Sequence, residues 1–295
     1  MKTASILKFI SQIKEPEKLN LERFINSHAP KQIEYIKSKA DTVLAYGAKR
    51  SGKSLASCTK IILSDNVGQE KANIFLAGTS LDKIKALYWS NLRAANKRFA
   101  LGWQFKWGDS LIITKKRTIQ FLSLRDIPSA DKGVGIQCLL ALIEEPHTAR
   151  EIVLKHFIEN VLRPNFLNVE GAQLGLTGNP PVYEMKWLRD NFYMNEKIHR
   201  IHFRPHDNPS IPKKVLNKFL LKEAKNLGYS SIAEAEALSD VYKRNYLGIW
   251  CPSTGKVIFN KDKIHCFTGL PKPLKEYKCS MGVDLGGGGR PSYPF

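Results

Sequence analysis

The fold of this chain is decided by one short stretch, Gly47-Ala48-Lys49-Arg50-Ser51-Gly52-Lys53-Ser54. It matches the pattern G-x-x-x-x-G-K-[S/T] in full. An apolar run over Thr42 to Tyr46 precedes it, and a segment with helical spacing, Ser54 to Ser64, follows it. In that context the backbone N–H groups of the loop and the positive end of the helix both attract phosphate. The stretch therefore predicts a strand, a phosphate-binding loop and a helix in succession.

The residues of this loop have distinct expected roles in a nucleotide site. Gly47 and Gly52 let the backbone close around phosphate oxygens, and Ser51 belongs to the same cradle. We expect Lys53 to reach the β and γ phosphates of ATP and the Ser54 hydroxyl to bind Mg²⁺. A chance match in a glycine-containing loop is the alternative, and the flanking strand and helix argue against it.

Two carboxylates at the end of a second apolar run supply the acidic partner that such a loop needs. The run is Leu139-Leu140-Ala141-Leu142-Ile143, and Glu144 and Glu145 follow it. We expect Glu144 to hold the Mg²⁺ shell and Glu145 to polarise the attacking water as general base. A solvated acidic loop is the alternative. A base beside the phosphate site predicts hydrolysis of the nucleotide rather than its storage.

Two further candidates for nucleotide contact lie outside these segments. A third strand, Gln173 to Thr177, ends in Gly178-Asn179-Pro180, so Thr177 and Asn179 would project toward the γ phosphate. A simple turn explains this sequence equally well. Gln32 lies 15 residues before the loop and carries both the donor and the acceptor that an adenine edge needs. A lone surface glutamine is the alternative there.

The remaining periodicities alternate between strands and helices, which predicts an α/β fold with a largely parallel central sheet flanked by helices. The other predicted strands are Asn73–Ala77, Trp103–Trp107, Leu111–Thr114, Thr118–Leu122 and Cys138–Ile143. The predicted helices are Ile6–Leu19, Leu21–Ser38 with a break near Pro30, Leu81–Ala100 and Glu151–Val161. After Ile201 two helices, Ile211–Leu227 and Ser231–Tyr246, predict a small helical subdomain. A strand over Lys278–Asp284 follows the linker Pro271–Pro273.

The composition is that of a globular protein with an unusually large positive charge. The chain has 295 residues, of which 43% are hydrophobic, and 46 Lys and Arg against 27 Asp and Glu give a formal net charge of +19. Such an excess indicates a polyanionic partner, nucleic acid first and an anionic membrane surface second. Two stretches concentrate the charge: residues 91–132 hold nine basic and three acidic residues, and residues 184–225 hold ten and five.

Within these stretches we expect two surfaces that bind phosphate. One is the turn Lys115-Lys116-Arg117 between two predicted strands, and the other combines Arg200, Arg204, Lys213 and Lys214. Contacts to phosphate carry no sequence information, so these surfaces would bind nucleic acid regardless of its sequence. Ordinary solvated surface is the alternative for each single residue.

The cysteines and the amino terminus indicate the cellular compartment of the protein. The five cysteines are widely spaced and include no C-x-x-C pair, which argues against a disulfide framework and a zinc site. The amino terminus has no unbroken apolar core, and no apolar stretch approaches the length of a membrane span. We therefore expect an intracellular, soluble protein.

Three further segments follow the nucleotide motifs in a characteristic order. They are His206-Asp207-Asn208-Pro209, Tyr246-Leu247-Gly248-Ile249-Trp250 and Met281-Gly282-Val283-Asp284-Leu285-Gly286. Together with the phosphate loop, the acidic pair and the third strand, they resemble the large terminase subunits of tailed phages, the motors that package DNA into procapsids. The resemblance extends from Ala29 to Gly286.

This resemblance implies a P-loop ATPase that uses ATP and Mg²⁺ to move double-stranded DNA. It implies a homo-oligomeric ring on a portal protein, with a small terminase subunit as recruiter, in the cytoplasm of the infected bacterial host. It places Gln32 at adenine and lets Thr177 to Asn179 couple hydrolysis to motion. A basic loop residue, Lys49 or Arg50, would sense phosphate as an arginine-finger equivalent, and spacing does not choose between the two.

The resemblance also divides the chain into four segments. These are a helical segment over 1–28, the ATPase core over 29–205, a lid and linker subdomain over 206–270, and a linker with the first strand of an RNase H-like nuclease domain over 271–295. Asp284 would be the first metal-binding carboxylate of that nuclease. Two-metal nucleases need further carboxylates, and only eleven residues follow Asp284. We therefore expect an ATPase followed by a nuclease stub that does not cut DNA.

Three other functions are compatible with parts of the sequence. Another P-loop ATPase on nucleic acid, such as a helicase, would separate strands without a procapsid. A DNA-binding module with an inactive nucleotide site would show no turnover. A basic membrane-surface protein is disfavoured, because no basic segment has the aromatic face of an interfacial helix.

Overall fold

The computed structural model describes residues 21–66, 71–181 and 185–251. All of them belong to one compact unit of the chain. Strands of this part form a single sheet, and their bounds are β1 Thr42–Gly47, β2 Asn73–Gly78, β3 Gln104–Lys106, β4 Leu111–Ile113, β5 Thr118–Ser123, β6 Cys138–Glu144, β7 Gln173–Gly178 and β8 His199–Phe203.

Helices of the same part lie between these strands and after them. Their bounds are α1 Leu21–Asn26, α2 Pro30–Lys37, α3 Lys53–Asn66, α4 Leu81–Phe99, α5 Ile127–Ala130, α6 Glu151–His156, α7 Arg163–Phe166, α8 Lys186–Leu188, α9 Lys213–Asn226, α10 Ile232–Leu238 and α11 Asp240–Tyr242. Three π-helical turns extend α6, α8 and α11, over Phe157–Leu162, Arg189–Tyr193 and Lys243–Leu247. Short 3-10 turns lie at Asp131–Gly133, Pro146–Thr148 and Pro205–Asp207.

The strand order of the sheet is β3-β4-β5-β2-β6-β7-β1-β8. The six strands from β5 to β8 in that order are parallel, and β3 and β4 add an antiparallel edge. The register pairs Glu144 of β6 with Thr177 of β7, and Tyr46 of β1 with Gly178 of β7. Because carboxyl ends of parallel strands meet at one edge, the phosphate loop, the acidic pair and the third strand end converge there.

Helices cover both faces of the sheet. On one face α3 and α4 pack Ile61 and Leu92 against Leu76 of β2. On the other face the helical segment that begins with α6 packs Phe157 against Phe75. Burial on both faces explains why the central strands are continuous apolar runs rather than alternating ones, and β6 is buried at every position.

A small helical lid follows the sheet and has a core of its own. Leu216, Leu220 and Ala224 are spaced four residues apart and so lie on one face of α9. They pack with Ala235 of α10 and Tyr242 of α11. This subdomain is the one that the sequence predicts after Ile201, although Asp240–Tyr242 and a π-helical turn replace the second half of the predicted helix.

The predicted α/β class with a mainly parallel sheet is confirmed, whereas one strand, β8, is missing from the prediction. Its sequence is His199-Arg200-Ile201-His202-Phe203, and only Ile201 and Phe203 are buried. The strand lies at the sheet edge beside β1, so polar side chains occupy its other positions. The short run therefore lacks the apolar continuity that identifies the central strands.

The expectation that Arg117 belongs to an exposed basic turn is wrong. Its Nε lies 3.3 Å from Asp65 Oδ1, and both side chains are buried. Arg117 Nη1 also donates a hydrogen bond of 3.2 Å to the carbonyl of Ala72. A buried cation needs a paired anion, and Asp65 supplies it from α3. Lys115 and Lys116 alone are the exposed members of that turn.

None of the helices in the described part is long and apolar enough to cross a bilayer. The predicted helix over 6–19 and the predicted strand that ends at Asp284 lie outside the described residues. The three boundaries between the four predicted segments remain predictions.

Candidate nucleotide site

The phosphate loop joins β1 to α3 and is held tightly from behind by β8. A Cβ placed on Gly47 would lie 1.9 Å from the carbonyl oxygen of Phe203, so no larger residue fits there. Ala48 N–H donates to the same carbonyl at 3.0 Å. Arg50 and Gly52 have positive φ values of 62° and 93°. The loop is therefore curled as the glycine pattern predicts, with one non-glycine residue in the left-handed region.

Lys53, at the first position of α3, folds back over the loop. Its Nζ donates to the carbonyls of Gly47 at 3.1 Å and Ala48 at 2.8 Å. It also lies 3.4 Å from Ser51 Oγ and 3.3 Å from Asn179 Oδ1. Burial lowers the pKa of Lys53, and the nearby carboxylates of the acidic pair oppose that shift. The ammonium thus lies where the loop carbonyls and the end of β7 meet.

Glu144, the last residue of β6, accepts hydrogen bonds from three hydroxyl groups. Ser54 Oγ donates to Oε1 at 3.1 Å. Tyr88 donates to Oε2 at 2.7 Å, and Thr177 Oγ1 donates to the same oxygen. Burial raises the pKa of Glu144, and the bonds from Thr177 and Tyr88 oppose that shift. The three hydroxyl donors stabilise the ionised form of this buried carboxylate.

Glu145 follows in the left-handed region, with a φ of 48°. Its N–H donates to the carbonyl of Thr177 at 2.7 Å, which fixes the turn at the end of β6. Its Oε2 accepts from Asn179 N–H at 3.1 Å and lies 3.1 Å from Nδ1 of His147. Burial raises the pKa of Glu145, and Lys53 opposes that shift. A partly desolvated carboxylate beside the phosphate loop is a stronger proton acceptor than an exposed one.

The amide of Gln32 forms two hydrogen bonds within the protein. Its Nε2 donates to the carbonyl of Gly52 at 3.0 Å, and its Oε1 accepts from Ala29 N–H at 2.9 Å. The residue is buried on α2 and ties that helix to the phosphate loop. It is therefore not a lone surface glutamine, and its contact with adenine remains a prediction.

The two basic candidates of the loop are both exposed and both adjoin the lid. The guanidinium of Arg50 lies 5.2 Å from the ring centre of Phe219 on α9. Asn208 Nδ2 donates to the carbonyl of Arg50 at 2.8 Å. Lys49 N–H donates to the carbonyl of Asn245 at 3.1 Å. The choice between Lys49 and Arg50 as the residue that senses phosphate remains a prediction.

A cleft of about 1020 Å³ lies between the loop and the lid. Its walls bring together loop and acidic-pair residues with α4 and α9, and they include Lys53, Ser54, Glu144, Glu145, Asn179 and Phe219. Thr177 lies directly behind this cleft, fully buried against Glu144. The predicted site residues from the described part are thus adjacent, and Asp284 lies outside that part.

Three residues of the site have no signal in the motifs. Tyr88 reaches Glu144 from the middle of α4, and His147 reaches Glu145 from a 3-10 turn. Tyr193 donates to the carbonyl of Asn179 at 3.0 Å and packs on Trp250 with ring centres 4.7 Å apart. Burial, with the cations Lys53 and Lys49, lowers the pKa of His147 to about 4. Helical periodicity marks Tyr88 as a core residue, and only the fold shows what its hydroxyl contacts.

Comparisons with known proteins bear on the fold. No family model matches the sequence, and no curated protein matches it either. Among solved structures, one match is the large terminase of a thermophilic bacteriophage, which we call the thermophilic-phage terminase. The match has a TM-score of 0.57 and 21% identity, over 76% of this chain and 53% of that one. The same terminase is also solved in complex with ADP and with ATP-gamma-S.

Two further structures agree with that match. The ATPase domain of the Thermus phage P74-26 large terminase matches with a TM-score of 0.55 and 11% identity, over 81% of this chain and all of that domain (100%). The large terminase of bacteriophage HK97 matches with a TM-score of 0.55 and 14% identity, over 81% and 52%. The chain therefore has the P-loop fold of large terminase ATPase domains, and it spans about half the length of the thermophilic-phage and HK97 terminases.

Proposed function

We propose that this chain is the ATPase part of a phage large terminase subunit, an enzyme that hydrolyses ATP to move double-stranded DNA. The observation that carries the proposal is the contact between the phosphate loop and the acidic pair. Ser54 Oγ lies 3.1 Å from Glu144, and Lys53 Nζ lies 3.3 Å from Asn179 at the end of the neighbouring strand. The nucleotide complexes of the thermophilic-phage terminase support the same assignment.

The oxygen donors in the cleft fit Mg²⁺. Ser54 Oγ and Glu144 Oε1 are hard ligands that already converge, and Mg²⁺ binds through one or two such groups plus substrate phosphates. When bound, the ion would neutralise charge that develops on the β and γ phosphates. Tyr88 and Thr177 donate to Oε2. They would therefore keep the Glu144 carboxylate in place when Oε1 and Ser54 Oγ exchange their mutual hydrogen bond for contacts with the ion.

Glu145 is the proposed general base. Its carboxylate is oriented by Asn179 N–H, and burial raises its pKa toward the range in which a base works well. It would accept the proton of the water that attacks the γ phosphate. Lys53 would leave the carbonyls of Gly47 and Ala48 for the phosphate oxygens, since a phosphate is the stronger acceptor for an ammonium.

The end of β7 supports a coupling role for Thr177, Gly178 and Asn179. Thr177 contacts Glu144, and Asn179 contacts both Lys53 and Glu145. A change at the γ phosphate would therefore reach β7 directly. We extend the proposal to a homo-oligomeric ring on a portal protein, with a small terminase subunit as recruiter, in the host cytoplasm.

The test is ATPase activity of the purified chain with and without double-stranded DNA. We expect turnover that DNA stimulates, and a loss of about 10²-fold or more in Glu145→Gln because a general base contributes that much. The matched control is Glu170→Gln, the same change at an exposed position on the loop before β7, which should retain native turnover.

Two results would contradict the proposal in different ways. Absence of turnover in both the native chain and Glu145→Gln would indicate a DNA-binding module with an inactive nucleotide site. ATP-dependent separation of a duplex into single strands would instead indicate a helicase.

A further inference from the structure

The helix α9 presents three distinct faces. Leu216, Leu220 and Ala224 point into the lid core. Phe219 and Val215 line the nucleotide cleft. The third face is exposed and carries lysines at positions 214, 218, 222 and 225, which we call the lysine stripe. One helix thus connects the nucleotide cleft with a charged outer surface.

The lysine stripe is a single line of charge. Its members are spaced four, four and three residues apart, and at 3.6 residues per turn they fall within about 80° of the helix circumference. With a rise of 1.5 Å per residue they extend over about 16 Å. All four side chains are exposed, and none of them forms an ion pair with a residue of the described part.

The acidic residue of α9 does not neutralise the stripe. Glu223 lies on the opposite side of the helix from Lys214, by about 180° at 3.6 residues per turn. Its carboxylate accepts the hydroxyl of Tyr246 within the lid. The stripe therefore keeps its full positive charge toward solvent.

We propose that the lysine stripe, Lys214, Lys218, Lys222 and Lys225, binds the phosphate backbone of double-stranded DNA. Lysine ammonium groups contact phosphates without regard to sequence, and about 16 Å of helix covers several successive phosphates of one strand, which are about 3.4 Å apart along the axis. This inference deepens the proposed function and rests on it, because it names the surface through which the motor holds its DNA.

Two other partners fit the stripe less well. An anionic membrane binds amphipathic helices by taking up their apolar face, and the apolar face of α9 is already buried in the lid core. Protein interfaces are depleted in lysine and centred on aromatic anchors, and the aromatic residue of α9, Phe219, faces the cleft. Charge complementarity therefore favours a nucleic-acid duplex.

The experiment measures binding of the full chain to a fluorescent DNA duplex of arbitrary sequence over a range of salt concentrations. The test variant is Lys218→Gln with Lys222→Gln. The control is Lys39→Gln with Lys197→Gln, which removes the same charge. Lys39 and Lys197 are exposed and precede β1 and β8, so they lie at the end of the sheet opposite the cleft. Glutamine has nearly the helix propensity of lysine, and thermal unfolding would verify the fold.

We expect the slope of log affinity against log salt to fall by about 2 in the stripe variant, since each lost phosphate contact removes about 0.9. The control should keep the native slope. Equal slopes in the two variants would overturn the inference while leaving a DNA-stimulated ATPase intact. A stripe variant that loses binding to phosphatidylserine vesicles but not to DNA would also overturn it. Failure of the native chain to bind the duplex would refute both this inference and DNA translocation.

Discussion

Glu144 is a buried carboxylate whose position depends on hydroxyl groups from three separate elements. Ser54 comes from α3, Tyr88 from α4 and Thr177 from β7. Removal of one donor from a buried carboxylate lowers the free energy of unfolding, because the carboxylate has lost its hydrogen bonds to water and has no replacement for the missing donor. The Tyr88 hydroxyl is the donor that belongs neither to the phosphate-loop motif nor to a strand of the sheet.

We expect Tyr88→Phe to lower the free energy of unfolding by about 1.5–3 kcal/mol, the usual range for a hydrogen bond to a charged group. The matched control is Tyr35→Phe, another fully buried tyrosine, whose hydroxyl has a weak contact of 3.4 Å with Ser57 Oγ. Urea denaturation of both variants measures the difference. If Tyr35→Phe were as costly as Tyr88→Phe, loss of the hydroxyl rather than its bond to Glu144 would explain the effect.

The sequence predicts the strands whose ends carry the phosphate loop and the acidic pair, because each of these strands is buried on both faces of the sheet. β1, β2 and β6 are apolar at nearly every position, and glycine punctuates the loop after β1. β8 escapes prediction because an edge strand needs only two buried side chains, Ile201 and Phe203. Local periodicity therefore identifies the centre of the sheet better than its edge.

The site is predictable to a similar extent. Lys53 and Ser54 belong to the phosphate-loop motif, and Glu144 and Glu145 end a predicted apolar strand. The fold brings the two pairs together. Tyr88 meets Glu144, 56 residues later, and Tyr193 meets the carbonyl of Asn179, 14 residues earlier, and no spacing encodes these contacts. His147 is close to Glu145 in sequence, but only the turn after β6 shows that its ring lies beside that carboxylate. Arg117 illustrates the opposite error, since this one residue of a predicted surface turn is buried against Asp65, more than 50 residues earlier.

The helix α1 is attached to the phosphate-loop helix α3 through His28. Its Nδ1 lies 3.0 Å from the carbonyl of Phe24, and its Nε2 lies 2.8 Å from Thr59 Oγ1. A neutral ring that donates from Nδ1 and accepts at Nε2 satisfies both contacts. Burial lowers the pKa of His28 below its ordinary value. As pH falls, the ring is protonated at a higher pH in the unfolded chain than in the folded one. The free energy of unfolding therefore decreases below about pH 6.5.

We expect the stability advantage of the native chain over His28→Gln to be present at about pH 7.5 and to shrink at about pH 5.5, because glutamine does not titrate. Urea denaturation of both proteins at the two pH values measures this double difference, and other titrating groups cancel. An advantage that grows on acidification would contradict the assignment of a neutral ring.

The lid and the sheet meet at a contact between two glycines. Gly248, which ends the last helical turn of the lid, has a φ of 68°. A Cβ on it would lie 2.3 Å from Cα of Gly47 and 2.7 Å from the nitrogen of Ala48. The segment that closes the lid thus lies directly on the phosphate loop. The bond between Lys49 N–H and the carbonyl of Asn245 adds to the same junction.

This junction predicts that nucleotide affinity depends on a glycine outside the cleft. Gly248→Ala should displace the loop and weaken binding of an ATP analogue by about tenfold, which corresponds to about 1.4 kcal/mol, together with a loss of thermal stability. Gly228→Ala is the matched control, because Gly228 also has a positive φ of 89° but no atom within 4 Å of an added Cβ. Left-handed alanine costs about 1–2 kcal/mol at either position, so the control carries the strain without the clash. The two variants share that strain, so a difference between them reports the clash. A lower nucleotide affinity in Gly248→Ala alone would mean that the lid holds the loop in its binding conformation. Equal affinities would mean that the lid contacts the loop without affecting its conformation.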